Sequence, residues 1–175
     1  MFRKIILALF FVVSTAQAAS LDEAIRNYES GLYDKAAIFL IPLAEQGDAT
    51  AQQKLSIMYF YGRGVPEDEK QAMVWARRSA DQGNLDAMFF IGTMFVFGDT
   101  IPKTVADPDL EAAKWLFEAA SRGHADAEYG LGLLFLSGKG VELNQAEAMK
   151  WIARAAEHGH AVAKSFLADR ERNGH

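Results

Sequence analysis

The chain has 175 residues, half of them hydrophobic, and its formal net charge at pH 7 is −5. This length fits one domain with a substantial core. The acidic balance argues against nucleic acid as a partner, because such binding depends on clustered cations that meet phosphates. The sequence contains no cysteine, which excludes a disulfide framework and a thiolate metal site, so packing alone must stabilise the fold.

The N-terminus has the pattern of an export signal. Arg3 and Lys4 precede an unbroken apolar run over residues 5–13, and Ala16-Gln17-Ala18 is a small-x-small cleavage site. We predict a signal peptide over residues 1–18 and a mature chain in the periplasm or the medium. The apolar run is shorter than the about 20 residues of a membrane-spanning helix, and no later segment comes close. We therefore predict no transmembrane anchor after cleavage.

The rest of the chain is built from a repeated block. Trp75, Trp115 and Trp151 stand 40 and 36 residues apart, and each follows an alanine three positions earlier and precedes a glycine eight positions later. A period in this range is the sequence signature of a stacked solenoid. We predict one α-solenoid domain over residues 19–175, with an atypical first hairpin at 20–46, repeats at about 47–82, 83–122 and 123–158, and a C-terminal capping helix at 159–172.

The first helix of each repeat is called an A helix. Its repeated positions are spaced by four, then three or four, which is one face of an α-helix. A small residue in the middle of that face, such as Gly92 or Gly132, allows a neighbouring helix to approach closely. We predict A helices at residues 48–60, 84–97, 124–136 and, in a shorter form, 160–172.

The second helix of each repeat, the B helix, contains the tryptophan beside small residues, which predicts a core position for the ring. Asp68 with Gln71, and Asn144 with Glu147, have the capping-box pattern of a helix start. Asp107 is a third predicted cap. We predict B helices at residues 68–82, 107–122 and 144–158, with a relative in the first hairpin at 34–46.

The connection inside the middle repeat breaks the pattern. The two other connections read Gly62-Arg63-Gly64-Val65 and Gly138-Lys139-Gly140-Val141, whereas Gly98 is followed by a different sequence with four extra residues before Asp107. Extra length on a rigid scaffold is a usual place for specificity, although a neutral insertion explains it equally well. The candidate specificity loop consists of Asp99, Thr100, Ile101, Pro102 and Lys103.

Residues 47–65 have the pattern Gly-Asp-x-x-Ala-Gln-x-x-Leu-x-x-Met-Tyr-x-x-Gly-x-Gly-Val. The pattern continues through Asp68, Ala72, Trp75 and Ala80. It resembles the Sel-one-like repeat of the tetratricopeptide superfamily over residues 36–168. The resemblance implies an all-α fold, a right-handed α/α superhelix whose concave side binds a protein or peptide. Exported bacterial members act as adaptors or regulators in the envelope. Cysteine-rich members linked to β-lactam binding or hydrolysis differ from this chain, which has no cysteine.

A second stripe on the A helices lies outside the repeated face. Because A helices line the concave side of a tetratricopeptide-like stack, the stripe predicts a partner-binding groove with Phe89 and Tyr129 as aromatic anchors. Packing between A helices of adjacent repeats explains the same stripe equally well. The stripe consists of Gln53, Ile57, Phe60, Phe89, Thr93, Val96, Tyr129, Leu133 and Leu136.

The histidines do not indicate a metal site. His124 and His160 occupy the column of Asp48 and Asn84, at the predicted starts of A helices. Equivalent residues on neighbouring helices lie about 8 to 10 Å apart, whereas zinc ligands lie about 2.1 Å from the ion. We therefore predict exposed helix-start histidines, no metal and no cofactor.

The sequence shows no motif of a known catalytic class: no nucleophile elbow, no His-Glu-x-x-His and no phosphate loop. We predict a periplasmic adaptor or regulator that binds a protein or peptide partner and is not an enzyme. Two alternatives stay open at this stage. One is an envelope hydrolase acting on β-lactams or peptidoglycan fragments, and the other is a module that binds cell-wall material.

Overall fold

The computed structural model describes residues 20–97 and 105–173. Within these ranges the regular structure is α-helical and no strand occurs, which confirms the all-α fold. The predicted signal peptide and the candidate loop from Asp99 to Lys103 lie outside the described residues. The helices are α1 (20–29), α2 (Tyr33–Glu45), α3 (Ala49–Tyr61), α4 (Glu69–Asp81), α5 (Leu85–Phe97), α6 (Pro108–Ser121), α7 (Ala125–Ser137), α8 (Gln145–Glu157) and α9 (Ala161–Asn173).

The ends of helices α2 to α9 agree with the sequence predictions to within one residue, because local caps fix where these helices start. The Oδ1 atom of Asp68 accepts the Gln71 N–H at 3.0 Å, and Asn144 accepts the Glu147 N–H at the same distance. Asp107 accepts the Leu110 N–H. The prediction of a shorter last helix is wrong, since α9 has 13 residues, as many as α7.

The chain divides into two compact units, residues 1–82 and 83–175. In the first unit, α3 packs against both α2 and α4. The apolar side chains between them form one cluster. Its largest buried members include Leu40, Leu43, Leu55, Met58 and Trp75.

In the second unit, successive helices from α5 to α9 pack against one another. Two glycines bring these helices close, as the sequence predicts. A Cβ atom added to Gly92 would lie 2.8 Å from Leu116 Cγ, and one added to Gly132 would lie 2.6 Å from Ile152 Cγ1. Any larger residue would therefore force the helices apart or displace these core side chains.

Trp75 and Trp151 are buried, with 8% of each residue exposed, which confirms their predicted core positions. An arginine one turn later covers each ring, because the guanidinium carbons of Arg78 and Arg154 lie 4.6 Å from the respective ring centroids. Trp115 is only half-buried. No helix within the described ranges is long and apolar enough to cross a membrane.

Candidate functional site

The second unit contains an apolar groove of about 440 Å³. Helices α5 and α7 supply most of its lining, and residues from α6 and from the segments beside α7 and α9 complete it. Five residues of the predicted stripe meet in this groove: Phe89, Thr93, Val96, Tyr129 and Leu133. The other lining residues are Phe97, Leu116, Asp126, Gly130, Leu134, Ser137, Lys139 and His160.

The groove depends on a missing side chain on α7. Gly130 occupies the repeat position at which other A helices have Lys54, Phe90 or Phe166. A Cβ atom added to Gly130 would meet Leu116 Cδ1 at 3.5 Å, an ordinary contact distance. A methyl group would therefore fit, whereas a larger side chain at this position would project into the lining and fill the groove.

His124 holds one aromatic wall in place. The Phe89 ring stacks on the His124 ring with centroids 5.1 Å apart. The imidazole Nδ1 accepts the Ala127 N–H at 3.1 Å and so caps α7, and Nε2 lies 3.0 Å from Asp86 Oδ1. Because Nδ1 is an acceptor, the proton of the neutral ring is on Nε2 and points to the carboxylate.

The same arrangement recurs one repeat later. Tyr129 stacks on His160 with centroids 4.4 Å apart, and His160 Nδ1 caps α9 by accepting the Ala163 N–H at 3.0 Å. His160 Nε2 lies 3.5 Å from Asp126 Oδ1. Both aromatic residues of the stripe are thus held in place by stacking on a histidine.

The two capping histidines lie at helix starts, as predicted, but the prediction that they are exposed is wrong. Only 12% of the His124 side chain and 14% of the His160 side chain are exposed. The reason is the aromatic residue of the preceding A helix, whose ring covers each imidazole. Within the described ranges, no group of three or more His, Asp or Glu residues could hold a metal ion.

The polar groups among the lining residues are largely satisfied within the protein. Thr93 Oγ1 donates to the Phe89 carbonyl at 3.0 Å, and Ser137 Oγ donates to the Leu133 carbonyl at 2.9 Å. Lys139 has no carboxylate within 4.0 Å among the residues that the structure describes. The groove therefore offers an apolar surface with two charged residues: Asp126, which lies beside His160, and Lys139, which has no carboxylate partner among the described residues.

The other four residues of the stripe do not line this groove. Leu136 packs against the cluster of Ile152, Ala155 and Ala163. The remaining three belong to α3 in the first unit, where Gln53 is buried with 5% exposure, and Ile57 and Phe60 are half-buried.

Sequence reasoning missed a buried ionic cluster between α7 and α8. Glu128 is completely buried, and its Oε2 lies 2.7 Å from His158 Nδ1 while its Oε1 lies 3.0 Å from Arg154 Nη2. The first unit places Gln52 and Gln82 at the matching repeat positions, and their amides are hydrogen bonded at 2.8 Å. The sequence signal for this cluster is the paired change at these two repeat positions, from two glutamines in the first unit to Glu128 and His158 in the second.

Comparison with known proteins agrees with this architecture. A family model described as Sel1 repeat matches residues 49–84, 85–124 and 125–160. A Sel1 repeat protein from Oxalobacter formigenes superposes with a TM-score of 0.76 at 32% identity, covering 89% of this chain and 60% of that one. Comparison with curated protein sequences finds no match.

Two further solved structures have the same fold. A protective antigen present in uropathogenic Escherichia coli strains superposes with a TM-score of 0.69 at 35% identity, covering 77% of this chain. The present chain spans only 28% of that antigen. Helicobacter pylori cysteine rich protein B, at 20% identity, has a TM-score of 0.58 over 76% of this chain and supports the fold alone.

Proposed function

Because the chain belongs to the Sel1 repeat family, we propose that it is an exported repeat scaffold, an adaptor or regulator in the bacterial envelope. Sel1 repeats generally mediate protein interactions. In this proposal the partner is a protein or peptide and it binds in the groove of the second unit. Export would follow from the N-terminal signal pattern of residues 1–18.

The observation that supports this proposal most directly is the positioned aromatic lining of the groove. Phe89 and Tyr129 are each stacked on a histidine that is itself fixed by a helix cap and a carboxylate. Ordered aromatic residues in a desolvated pocket are the usual energetic centre of a protein interface. A partner that inserts an apolar side chain between them would bury it without reordering the site.

The two charged lining residues indicate how a partner segment would run. Asp126 lies at the start of α7 and Lys139 just after its end. Helix geometry places these two ends roughly 18 Å apart, the length of about five extended residues. We infer a short extended segment with apolar side chains at its centre and an acidic group near Lys139.

A site-specific crosslinking experiment in intact cells tests the proposal. A photo-reactive amino acid replaces Leu133, which lines the groove and is 41% exposed. We expect adducts with an envelope protein, isolated from the periplasmic fraction. Phe89→Ala and Tyr129→Ala should each reduce the adducts about ten-fold, because losing one interface anchor costs about 1 to 2 kcal/mol.

Gly130→Phe provides a matched occlusion of the groove, because the same repeat position in α5 already has Phe90. This variant should fold and should abolish the adducts. A photo-reactive residue at exposed Glu118 on α6, outside the groove lining, is the background control. Adducts that persist in Gly130→Phe at the wild-type level would contradict binding in this groove.

A further inference from the structure

The first unit contains an aromatic and cationic cluster that is separate from the groove. The guanidinium carbon of Arg63 lies 4.8 Å from the ring centroid of Tyr61 and 5.4 Å from that of Tyr33. Arg63 Nη1 also donates to the Tyr33 hydroxyl at 3.3 Å. Stacking on two rings restricts an otherwise mobile side chain and leaves the edge of the guanidinium accessible.

A second cation and a third tyrosine complete this cluster. Tyr28 meets Tyr33 edge to face, with centroids 5.4 Å apart and planes at 80°. Lys54 Nζ lies 5.0 Å from the Tyr28 ring centroid. The cluster thus consists of Tyr28, Tyr33, Tyr61, Lys54 and Arg63, and it is called the tyrosine cluster below.

A glycine turn brings Arg63 to this place. Gly64 has φ +69°, and an added Cβ would lie 2.5 Å from the Tyr33 carbonyl carbon. The turn after α3 therefore lies directly against the first residue of α2. The corresponding turn in the second unit packs Gly140 against Asp109, so Lys139 has an acidic residue and not a tyrosine at the matching place.

Both cations of the tyrosine cluster lack a carboxylate partner. Neither Arg63 nor Lys54 has one within 4.0 Å among the residues that the structure describes, whereas Lys114 and Lys150 of the second unit each pair with a glutamate. Arg63 is exposed, and so is Tyr61. The ring faces hold the cations. Apart from Arg63 Nη1, which donates to the Tyr33 hydroxyl, the hydrogen-bonding groups of the two cations remain available to a ligand.

The hydroxyl groups add donors to the same surface. Burial raises the pKa of the Tyr28 phenol above its usual value; the neighbouring Tyr33 and Tyr61 raise it too, while Arg63 lowers it. Tyr28 is therefore protonated at neutral pH and can donate a hydrogen bond. Donors and two positive charges together match an anionic ligand.

We propose that the tyrosine cluster binds a carboxylate of an acidic segment in a protein partner. The guanidinium fork matches the two oxygens of a carboxylate. Two oxygens of a phosphate fit the guanidinium fork in the same way, but phosphate carries a larger negative charge than a carboxylate. The C-terminal end of α3 at Tyr61 is a negative feature beside the cluster, and it favours the singly charged carboxylate group.

A titration followed by nuclear magnetic resonance tests this proposal. The probes are acetylated penta-glutamate amide, its penta-glutamine counterpart and inorganic phosphate, added to the purified protein. Penta-glutamate should shift the Arg63 Nε–H signal in a saturable way, and added salt should weaken the binding of the peptide. Arg63→Gln should reduce the affinity about ten-fold or more, measured on the tyrosine ring signals.

Lys150→Gln is the control, because Lys150 is an exposed cation outside both the tyrosine cluster and the groove lining. This substitution should leave the affinity unchanged. Arg63→Lys keeps the charge but loses the fork and the stacking, so it should also bind more weakly. Thermal unfolding of each variant checks that it is folded. Equal binding of penta-glutamine, equal affinity for phosphate, or full affinity in Arg63→Gln would overturn the proposal. The groove of the second unit plays no part in this test.

Discussion

The two compact units use different chemistry at the same buried position. In the first unit, the fourth residue of α3 is Gln52, which is 4% exposed and accepts a hydrogen bond from the Gln82 amide at 2.8 Å. In the second unit, the fourth residue of α7 is Glu128, completely buried between His158 and Arg154. Helices α3 and α7 have the same length, and each ends at a glycine in the left-handed conformation.

Between these two repeats the position keeps a buried polar contact while its charge changes, and the repeat between them has Met88 and Arg122 at the matching places. The neutral amide pair is satisfied without any charge, because the Gln82 amide donates to Gln52 Oε1 and the Gln52 amide donates to the Ala44 carbonyl. A buried carboxylate requires its cations, because an unpaired charge in the interior is strongly destabilising. The helices help in the second unit, since Glu128 lies in the first turn of α7 and Arg154 in the last turn of α8, where their charges interact favourably with the helix dipoles.

The largest expected effect comes from removing an arginine in each unit. Arg154→Ala leaves Glu128 with one partner and uncovers Trp151, so we expect a loss of about 3 kcal/mol of unfolding free energy. Arg78→Ala removes the matching arginine over Trp75, where no charge is buried, and should cost about 1 kcal/mol or less. Urea unfolding measures both, and equal losses would contradict the comparison.

Two substitutions in the second unit can recreate the neutral glutamine pair of the first unit. Glu128→Gln alone and His158→Gln alone should each cost about 1 to 2 kcal/mol, because each leaves a polar partner poorly matched. The double variant should recover most of that loss, since it recreates the pair formed by Gln52 and Gln82. A double-mutant cycle on unfolding free energies gives the coupling directly, and strictly additive losses would show that the pair does not act together.

The smallest expected effect concerns the caps of the A helices. Asp48 caps α3 in the first unit through its carboxylate, whereas His124 caps α7 in the second through its ring nitrogen. His124→Asn keeps a capping side chain and should change stability by about 0.5 kcal/mol, while His124→Ala should cost about 1 kcal/mol. Thermal melting compares the two. If the two variants destabilise the protein equally, then His124 contributes to stability through its stacking on Phe89 and not through capping.

Sequence predicted the helices well because the signals are local. A capping residue such as Asp68 and the N–H it binds are three positions apart, so helix starts can be read without knowing the rest of the structure. The stripe of Phe89 and Tyr129 was recognisable for the same reason, since helical spacing places residues on one face.

The groove and the tyrosine cluster could not be predicted in this way, because they depend on contacts between distant residues. The groove is open where Gly130 lacks the side chain that other repeats have, and its volume depends on Leu116 from another helix. The Gly62–Val65 segment was correctly predicted as part of the connection between two helices. Its contact with Tyr33, which creates the cluster, joins positions 30 residues apart.

The volume of the groove limits the residence time of a partner in the proposed site. About 440 Å³ corresponds to about 15 water volumes, or roughly as many ligand atoms. At about 0.3 kcal/mol per atom, the groove alone would give a Kd somewhat below 1 mM. With an ordinary association rate, each visit would last on the order of milliseconds. In the proposed binding mode the chain would sample its partner rapidly, and a stable assembly would need a second contact elsewhere on the same chain.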